Sequence, residues 1–187
     1  MSEVIIILPK DRLGVLIGKG GKVKTRIEKT LKTIIEVDEV GVVKIRQSKS
    51  GGDPIKILKA QGIVTAISKG FAPEKSFKLM DDEKLLDVID LREIYGRKDN
   101  QIKRVKGRII GREGKTRRLI EELLGVDVSV YGHTVSIIGG FETITLAKEA
   151  IKMLLKGKQH STVYRFLRLK RIELKKRAKV ELWISKE

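Results

Sequence analysis

Apolar residues along the chain follow two spacings in turn, first that of a strand and then that of helices. The opening run is almost continuously aliphatic and β-branched, as is typical of a strand. Apolar positions then recur every three or four residues on both sides of a glycine-rich turn, which predicts two short helices, the first capped by Asp11. The predicted elements are a strand at Glu3–Leu8, helices at Pro9–Leu16 and Lys22–Leu31, two strands within Ile34–Ile45 and a helix at Pro54–Gly70.

The second half of the chain repeats this succession. A shift of 93 residues places Gly18 on Gly111, and a shift of 87 later places Ala60 on Ala147. The six extra residues of the first copy are most simply placed in the loop Gln47–Pro54. The second copy is predicted to contain a strand at Leu85–Leu91, helices near Asn100–Ile109 and Lys115–Leu124, two strands within Val126–Ile138 and a helix near Phe141–Leu155.

This duplication predicts an α+β protein built from two β-α-α-β-β-α units in tandem. In each unit three strands can form a sheet that three helices cover on one face. Residues 1–70 form the first predicted domain and residues 84–158 the second. Residues 71–83 between them carry four large apolar side chains, so we expect a docked turn or short helix there. Residues 159–187 are predicted to be a basic helical extension.

The charge of the chain narrows the class of partner. Its 187 residues include 41 Lys and Arg against 24 Asp and Glu, a net charge of +17. A folded protein with so much positive charge usually binds a polyanion, and nucleic acid is the first candidate. The absence of cysteine excludes disulfides and thiol catalysis and fits a reducing compartment. No apolar run is long enough for a signal peptide or a membrane span, so we expect a soluble, cytoplasmic protein.

Each copy carries two glycines three residues apart between its first two predicted helices. Glycine at both positions lets the backbone approach a ligand, and the unpaired amides that open the next helix favour an anion. A nucleotide-binding P-loop would need glycine in place of Ile109, and a dinucleotide motif would follow a strand, so neither motif fits. The basic residues around the two loops are Lys19, Lys22, Lys24 and Arg26 in the first copy and Arg108, Arg112, Lys115, Arg117 and Arg118 in the second.

The two glycine loops resemble the signature loop of KH domains. The resemblance rests on Ile17-Gly18-Lys19-Gly20-Gly21 and Ile110-Gly111-Arg112-Glu113-Gly114, together with the type I order of elements. It implies that each loop clamps about four nucleotides of single-stranded RNA, with the bases resting on aliphatic side chains. By this analogy Val15, Ile17 and Ile35 line the first groove, and Ile109, Ile110, Val128 and Val130 line the second.

A closer resemblance extends over nearly the whole chain. The stretch "HSTVYRFLRLKRIELKK" (His160–Lys176), taken with the second loop, resembles the two-KH ribosome-assembly proteins of the Pno/Dim type. The intact first loop points to an archaeal form. The resemblance implies a monomer that binds the 3′ region of small-subunit pre-rRNA and presents it to a Nob-type endonuclease. It also implies a link to the alpha subunit of initiation factor two.

The two predicted grooves differ in charge. The wall opposite the first loop contains Glu36, Asp38 and Glu39, which would repel phosphate, whereas Val128–His133 opposite the second loop contains no acid. We therefore expect the second groove to be the main RNA site and the first to be auxiliary, although the second loop itself contains Glu113. The tail is either a solvated basic helix or a second RNA contact. Its candidate contacts are Arg165, Arg168, Arg171 and Lys175.

Two other classes of function stay open at this point. In the first, the KH folds mainly bind proteins, as a scaffold or a translation-associated adaptor, and rRNA contact is confined to the basic tail. The second, an NTP-using enzyme, is disfavoured by the motif spacings. His133 and His160 have no carboxylate or cysteine cluster beside them in sequence, so we predict no catalytic, metal or cofactor site.

Overall fold

A computed structural model describes residues 3–48 and 53–184 of the protein. The architecture is α+β, with two three-stranded antiparallel sheets and helices packed on them. The first half consists of β1 (Glu3–Ile7), α1 (Lys10–Ile17), α2 (Lys22–Leu31), β2 (Thr33–Val37), β3 (Val42–Gln47) and α3 (Pro54–Ser68). After α4 (Pro73–Ser76), the second half consists of β4 (Leu85–Asp90), α5 (Leu91–Tyr95), α6 (Asp99–Ile110), α7 (Lys115–Leu124), β5 (Asp127–Tyr131), β6 (Thr134–Gly139), α8 (Phe141–Leu155) and α9 (His160–Ile184).

The two halves share one topology. The strand order is β1-β3-β2 in the first sheet and β4-β6-β5 in the second, so the third strand of each half lies in the centre. The predicted order of elements is confirmed, with one addition. The short helix α5, which is not predicted, follows β4 directly, and the Asp90 carboxylate caps it by accepting from the Arg92 amide at 2.8 Å. The longer loop predicted for the first copy falls mainly on residues 49–52, outside the described residues.

The Ile-Glu pair that ends each glycine motif has the same structural role in both halves. The isoleucine of each pair is fully buried in the core of its half. Glu28 accepts a hydrogen bond from the Ile35 amide at 2.8 Å. Glu121 accepts the corresponding bond from the Val128 amide at 3.0 Å. Each glutamate therefore ties the helix after the glycine loop to the strand that stands opposite the loop.

One face of the second sheet is covered by the first half. Asp11 does not cap α1, contrary to the expectation, because the helix already begins at Lys10 and Pro9 occupies the cap position. The Asp11 carboxylate instead accepts a 2.5 Å hydrogen bond from the Tyr131 hydroxyl of β5. Ser129, two residues earlier and on the same face of the strand, donates to the Lys69 carbonyl at 2.8 Å. The opposite face of this sheet packs on its own helices.

The segment between the halves is docked, as its apolar side chains predict. Phe71 and Leu79 are buried with the core of the first half. Lys75 and Lys78 both form ion pairs with Asp127 of β5, at 3.0 and 2.5 Å. The segment therefore holds the second sheet against the first half. No helix in the described part of the chain is long and apolar enough to cross a membrane.

Candidate nucleic-acid interface

The two glycine motifs adopt nearly the same backbone. In each, a helix ends just before the first glycine, one 3-10 turn follows, and the next helix starts directly after the second glycine. The left-handed φ angles are 72°, 61° and 76° at Gly18, Gly20 and Gly21, and 73°, 52° and 77° at Gly111, Glu113 and Gly114. Glu113 carries a side chain in this conformation, which costs roughly 1–2 kcal/mol relative to the right-handed one.

The first glycine of each motif is required by packing as well as by its backbone angle. A Cβ at Gly111 would lie 2.8 Å from the Cβ of Thr116, and one at Gly18 would lie 2.5 Å from the Cγ2 of Val23. Both distances are too short for real carbon–carbon contacts, so the following helix packs directly on this glycine. A Cβ at Gly114 would meet open space. The second glycine is therefore required by its φ angle alone.

The backbone amides at the tip of each loop are unpaired. In the second loop, the amides of Arg112 and Glu113 have no hydrogen-bond acceptor among the residues that the structure describes. The same holds for the amides of Lys19 and Gly20 in the first loop, within the same ranges of the chain. Unpaired amides in a left-handed turn at the start of a helix make a concave site that favours an anion.

The cations predicted around the second loop fall into two groups. Arg112 and Lys115 are exposed beside the glycines, as Lys19 and Lys22 are in the first loop. The other three contact the protein itself: Arg108 donates to the Leu154 and Lys158 carbonyls at 3.3 and 2.6 Å, Arg118 donates to the Glu113 carbonyl at 2.8 Å, and Arg117 lies 3.8 Å from the Glu121 carboxylate. Arg112 and Lys115 are therefore the charges best placed to meet a ligand.

Three aliphatic residues expected to line the grooves belong to the cores instead. Ile35 and Ile109 are fully buried, and Val128 is 2% exposed. Their side chains lie between helices and sheet, so they support each groove from below and cannot touch a base in this conformation. The predicted groove residues that keep exposed surface are Val15 and Ile17 in the first half and Ile110 and Val130 in the second.

The wall opposite the first loop is less acidic than its sequence suggests. Glu36 pairs with Arg46 of β3, and the hydrogen bond from Arg46 lowers the pKa of the Glu36 carboxyl. Asp38 accepts the Val40 and Val42 amides, each at 2.9 Å, and so shapes the turn between β2 and β3. Two of the three carboxylates that argued against the first groove are therefore engaged by the protein.

Lys106, which is not among the predicted site residues, bridges α6 and the turn between β5 and β6. Its Nζ donates to the Gly132 carbonyl at 2.7 Å. Because Lys106 precedes Ile110 by four residues, both side chains lie on one face of α6. That helical spacing is the signal from which this residue could have been found. The surface between α6 and β5 thus combines aliphatic side chains with positive charge.

The basic tail forms the long helix α9 and docks on the second half. Val163 and Leu167 are fully buried in its core. The Tyr164 hydroxyl shares a 2.7 Å hydrogen bond with the hydroxyl of Thr116, next to the second loop. The predicted tail contacts Arg165, Arg168, Arg171 and Lys175 are all exposed. The tail is therefore not an independent solvated helix, because one stripe of it is part of the core.

Known proteins are similar to this chain in sequence. The family model for the second KH domain of PNO1, described as a eukaryotic type KH-domain (KH-domain type I), matches residues 85–172. The KH domain-containing protein MJ0443 of Methanocaldococcus jannaschii is 51% identical over 185 residues, which cover 99% of this chain and 81% of that protein. The pre-rRNA-processing protein pno1 of Schizosaccharomyces pombe is 30% identical over 127 residues, which cover 67% of this chain and 53% of that protein.

A solved structure shows the same fold. A chain in the crystal structure of the a/eIF2alpha-aDim2p-rRNA complex from Pyrococcus horikoshii superimposes with a TM-score of 0.85 at 45% identity. The match covers 92% of this chain and 95% of that one. Sequence identity and fold thus point to one family, and the chain belongs to the Pno/Dim family of KH-domain ribosome-assembly proteins.

Proposed function

We propose that the chain binds single-stranded RNA through its two glycine loops, as two type I KH domains at residues 1–70 and 84–158. The observation that carries this proposal is the pair of unpaired amides at Arg112 and Glu113, next to the exposed side chains of Arg112 and Lys115. Helix-start amides and flanking cations together favour the phosphates of a nucleic-acid backbone. The partly exposed Ile110 would then support a base from its aliphatic side.

The proposed target is small-subunit rRNA near its 3′ end. Among the relatives, pno1 is a pre-rRNA-processing protein, and the solved complex contains rRNA and a/eIF2alpha beside aDim2p. By extension, this chain would hold a short segment of pre-rRNA during ribosome biogenesis and present it to a Nob-type endonuclease. The alpha subunit of initiation factor two is the second protein partner that we propose.

We propose that the second loop is the main RNA site and that the first is auxiliary. The reason is no longer the acidic residues opposite the first loop but the extent of positive surface beside the second. Only the second loop has α9 beside it, with exposed cations at Arg168, Arg171 and Lys175. The first loop is followed by the docked segment after α3, whose Phe77 ring packs under the Arg26 guanidinium at 4.3 Å. The positive surface next to the second loop is therefore the more extended of the two.

A protein-binding scaffold is the second candidate function, and one observation favours it. The face of the first sheet turned away from its helices exposes Ile5, Ile7 and Ile34, at 59, 78 and 42%. The corresponding face of the second sheet is covered by the first half of the chain. Exposed aliphatic side chains on one sheet face are typical of a protein contact. In this alternative RNA contact would be confined to α9.

Titration with RNA at several salt concentrations separates the two functions. The probe is a twelve-nucleotide RNA from the 3′ end of an archaeal small-subunit rRNA. Binding by one four-nucleotide clamp predicts a log–log salt slope of roughly −2 to −3, at about 0.7 for each phosphate neutralised. A slope several units steeper would mean that both loops and α9 contribute. Binding that is lost on replacing the exposed cations Arg168, Arg171 and Lys175 of α9 by Ala, yet is unchanged by charge reversal in both loops, would favour the scaffold.

Replacing Glu113 by Gly should strengthen RNA binding about three- to tenfold at low salt. The first loop has Gly20 at this position, with a similar φ. The change removes a carboxylate next to the proposed phosphate site, worth roughly 0.7–1.4 kcal/mol. It also removes a side chain from a left-handed position, although the freer unfolded chain offsets part of that gain in stability.

The matched control for this change is Glu122→Gln, which removes an exposed carboxylate from α7 away from the loop. We expect it to alter the RNA dissociation constant less than twofold. The reciprocal variant Gly20→Glu should weaken any contribution from the first loop. A Glu113→Gly protein that binds RNA no better than the control would show that no phosphate approaches this position.

A further inference from the structure

A cavity of about 380 Å³ lies on the other side of the second loop from the proposed groove. The groove lies between α6 and β5, whereas the cavity lies between α6, the loop and α9. The side chains that define it are Arg104 and Arg108 from α6, Arg112 and Lys115 from the loop, and His160 and Tyr164 from α9. Its volume is near the lower end of the roughly 300–1,000 Å³ range of small-ligand sites, which suits one nucleotide.

The charge of the cavity selects an anion. Four of its lining residues are Arg or Lys, and none of its lining residues is a carboxylate. Arg108 is held by the Leu154 and Lys158 carbonyls, so it contributes charge from a fixed position. Arg104, Arg112 and Lys115 are exposed and can turn toward a ligand. Such a set of cations around one opening favours a phosphate group.

The same cavity presents two rings, in a chain that has few aromatic side chains. The rings of His160 and Tyr164 lie 6.0 Å apart and are tilted by 56°. Tyr164 is held by its hydrogen bond to Thr116, and the Nε2 of His160 lies 2.9 Å from the Arg108 carbonyl. Both rings are partly exposed and fixed before any ligand arrives. Rings beside cations are the usual partners of an unstacked base and its phosphate.

We propose that this cavity holds one further nucleotide of the RNA strand that crosses the second loop. The phosphate would lie beside Arg104, Arg112 and Lys115, and the base would lie against Tyr164. Because Arg112 and Lys115 border both the loop and the cavity, one continuous strand can occupy the two sites. The inference rests on the proposed function, since it requires an RNA strand on the loop.

The first half of the chain does not build this cavity. Val23 takes the place of Thr116, so the helix after the first loop has no hydroxyl for a tyrosine at this point. The chain after α3 continues into the docked segment that carries α4, whereas the chain after α8 continues into α9. The two loops are otherwise similar, and α9 forms this cavity beside the second one. The proposed RNA site is therefore extended at the second loop and not at the first.

The basic residues of α9 continue from the cavity in one line. Arg168, Arg171 and Lys175 follow Tyr164 by 4, 7 and 11 residues, which places all four side chains within an arc of about 60° around the helix axis. All three are exposed, and Lys175 lies about 16 Å along the axis from Tyr164. Arg165 lies about a quarter turn away from this line. A strand that leaves the cavity would therefore pass along Arg168, Arg171 and Lys175.

The cavity site is tested by comparing the binding of a long RNA, which can reach the cavity, with that of a short RNA, which occupies the loop alone. The twelve-nucleotide rRNA probe and a four-nucleotide fragment of it are titrated against the whole chain and its variants. Tyr164→Leu should weaken binding of the long RNA about tenfold, the magnitude typical of one lost base–ring contact, and leave the short RNA unchanged. Tyr164→Phe keeps the ring and should stay within twofold of the unsubstituted chain. Equal losses for Phe and Leu would overturn the proposal, because they would show that only the hydroxyl bond to Thr116 matters.

A charge variant keeps the test valid if Tyr164→Leu does not fold. Arg104→Ala should reduce the salt slope for the long RNA by about 0.7, and Arg97→Ala, an exposed arginine outside the cavity, should not change it. Identical slopes for both variants would overturn the cavity site. If the short RNA binds while the long RNA gains nothing over it, the cavity proposal fails and the loop proposal stands. If neither RNA binds the unsubstituted chain, both proposals fail.

Discussion

The double substitution Arg112→Asp with Glu113→Asp should weaken binding of single-stranded RNA about 30-fold or more. It replaces the cation of Arg112 by a carboxylate and keeps a carboxylate, one methylene closer to the backbone, at position 113. Two carboxylates then flank the two unpaired amides from which a phosphate would accept hydrogen bonds, and they repel it. Hydrogen bonds to a charged group are worth about 1.5–3 kcal/mol, and a loss of about 2 kcal/mol is 30-fold in affinity. Titration of the twelve-nucleotide rRNA probe, followed by fluorescence anisotropy, measures the effect.

The fold should survive this change. Both side chains are exposed, and aspartate tolerates the left-handed conformation of position 113 better than most residues. The matching pair, Lys19→Asp with Gly20→Asp, puts the same two carboxylates into the first loop and should cause a smaller loss. An RNA affinity that does not change in the second-loop variant, at unchanged thermal stability, would remove that loop from the mechanism.

Gly111→Ala should destabilise the protein by about 3 kcal/mol or more. The added Cβ would lie 2.8 Å from the Cβ of Thr116 and would overlap its Oγ1, so α7 would have to shift. The left-handed φ of 73° adds roughly 1 kcal/mol to that cost. Guanidinium unfolding followed by circular dichroism gives the change in the free energy of unfolding.

Gly114→Ala is the matched control for this prediction. Its φ of 77° is nearly the same, but the new methyl group would enter open space, so we expect a loss of only about 1 kcal/mol. The difference between the two variants isolates the steric role of the first glycine. Equal losses would contradict direct packing of α7 on Gly111. Gly18→Ala and Gly21→Ala repeat the comparison in the first loop.

Local patterns were sufficient to predict most of the secondary structure. The start of α7 at Lys115 and the span of α8 from Phe141 to Leu155 agree with the sequence-based bounds, because each depends on residues close in sequence. The repeat strengthened these predictions, since two copies must satisfy one topology. The helix α5 is too short to show periodicity, and its signal is the single cap at Asp90.

Whether an individual apolar side chain is buried or exposed was harder to predict. The resemblance places Ile109 and Ile110 beside the loop, but only the rotation of α6 against the sheet decides that Ile109 is buried and Ile110 is partly exposed. Val128 was misassigned in a similar way: it shares the helix-facing side of β5 with Val130, but the helices cover Val128 and leave Val130 partly exposed. How far a helix extends over one face of a strand is set by tertiary packing and not by the alternation of residues along the strand.

Contacts between distant residues could not be predicted. Thr116 and Tyr164 are 48 residues apart, and no motif or periodicity in the sequence indicates that they form a hydrogen bond. The same is true of Asp11 and Tyr131, 120 residues apart, whose hydrogen bond joins the two halves. Apolar residues at helical spacing in the tail, such as Val163 and Leu167, indicate that one stripe docks, but they do not indicate where. Its place beside the loop depends on how α9 packs across α7 and α8, which is a tertiary property.

The central claim is that amides at the tip of the second loop hold a phosphate, and amide chemical shifts test it most directly. The ¹⁵N-labelled chain is titrated with the twelve-nucleotide rRNA probe. The account predicts that the amide protons of Arg112 and Glu113 move downfield more than any others, because each gains a charged acceptor. Shifts confined to α9 or to the exposed face of the first sheet, with these two amides unmoved, would contradict it.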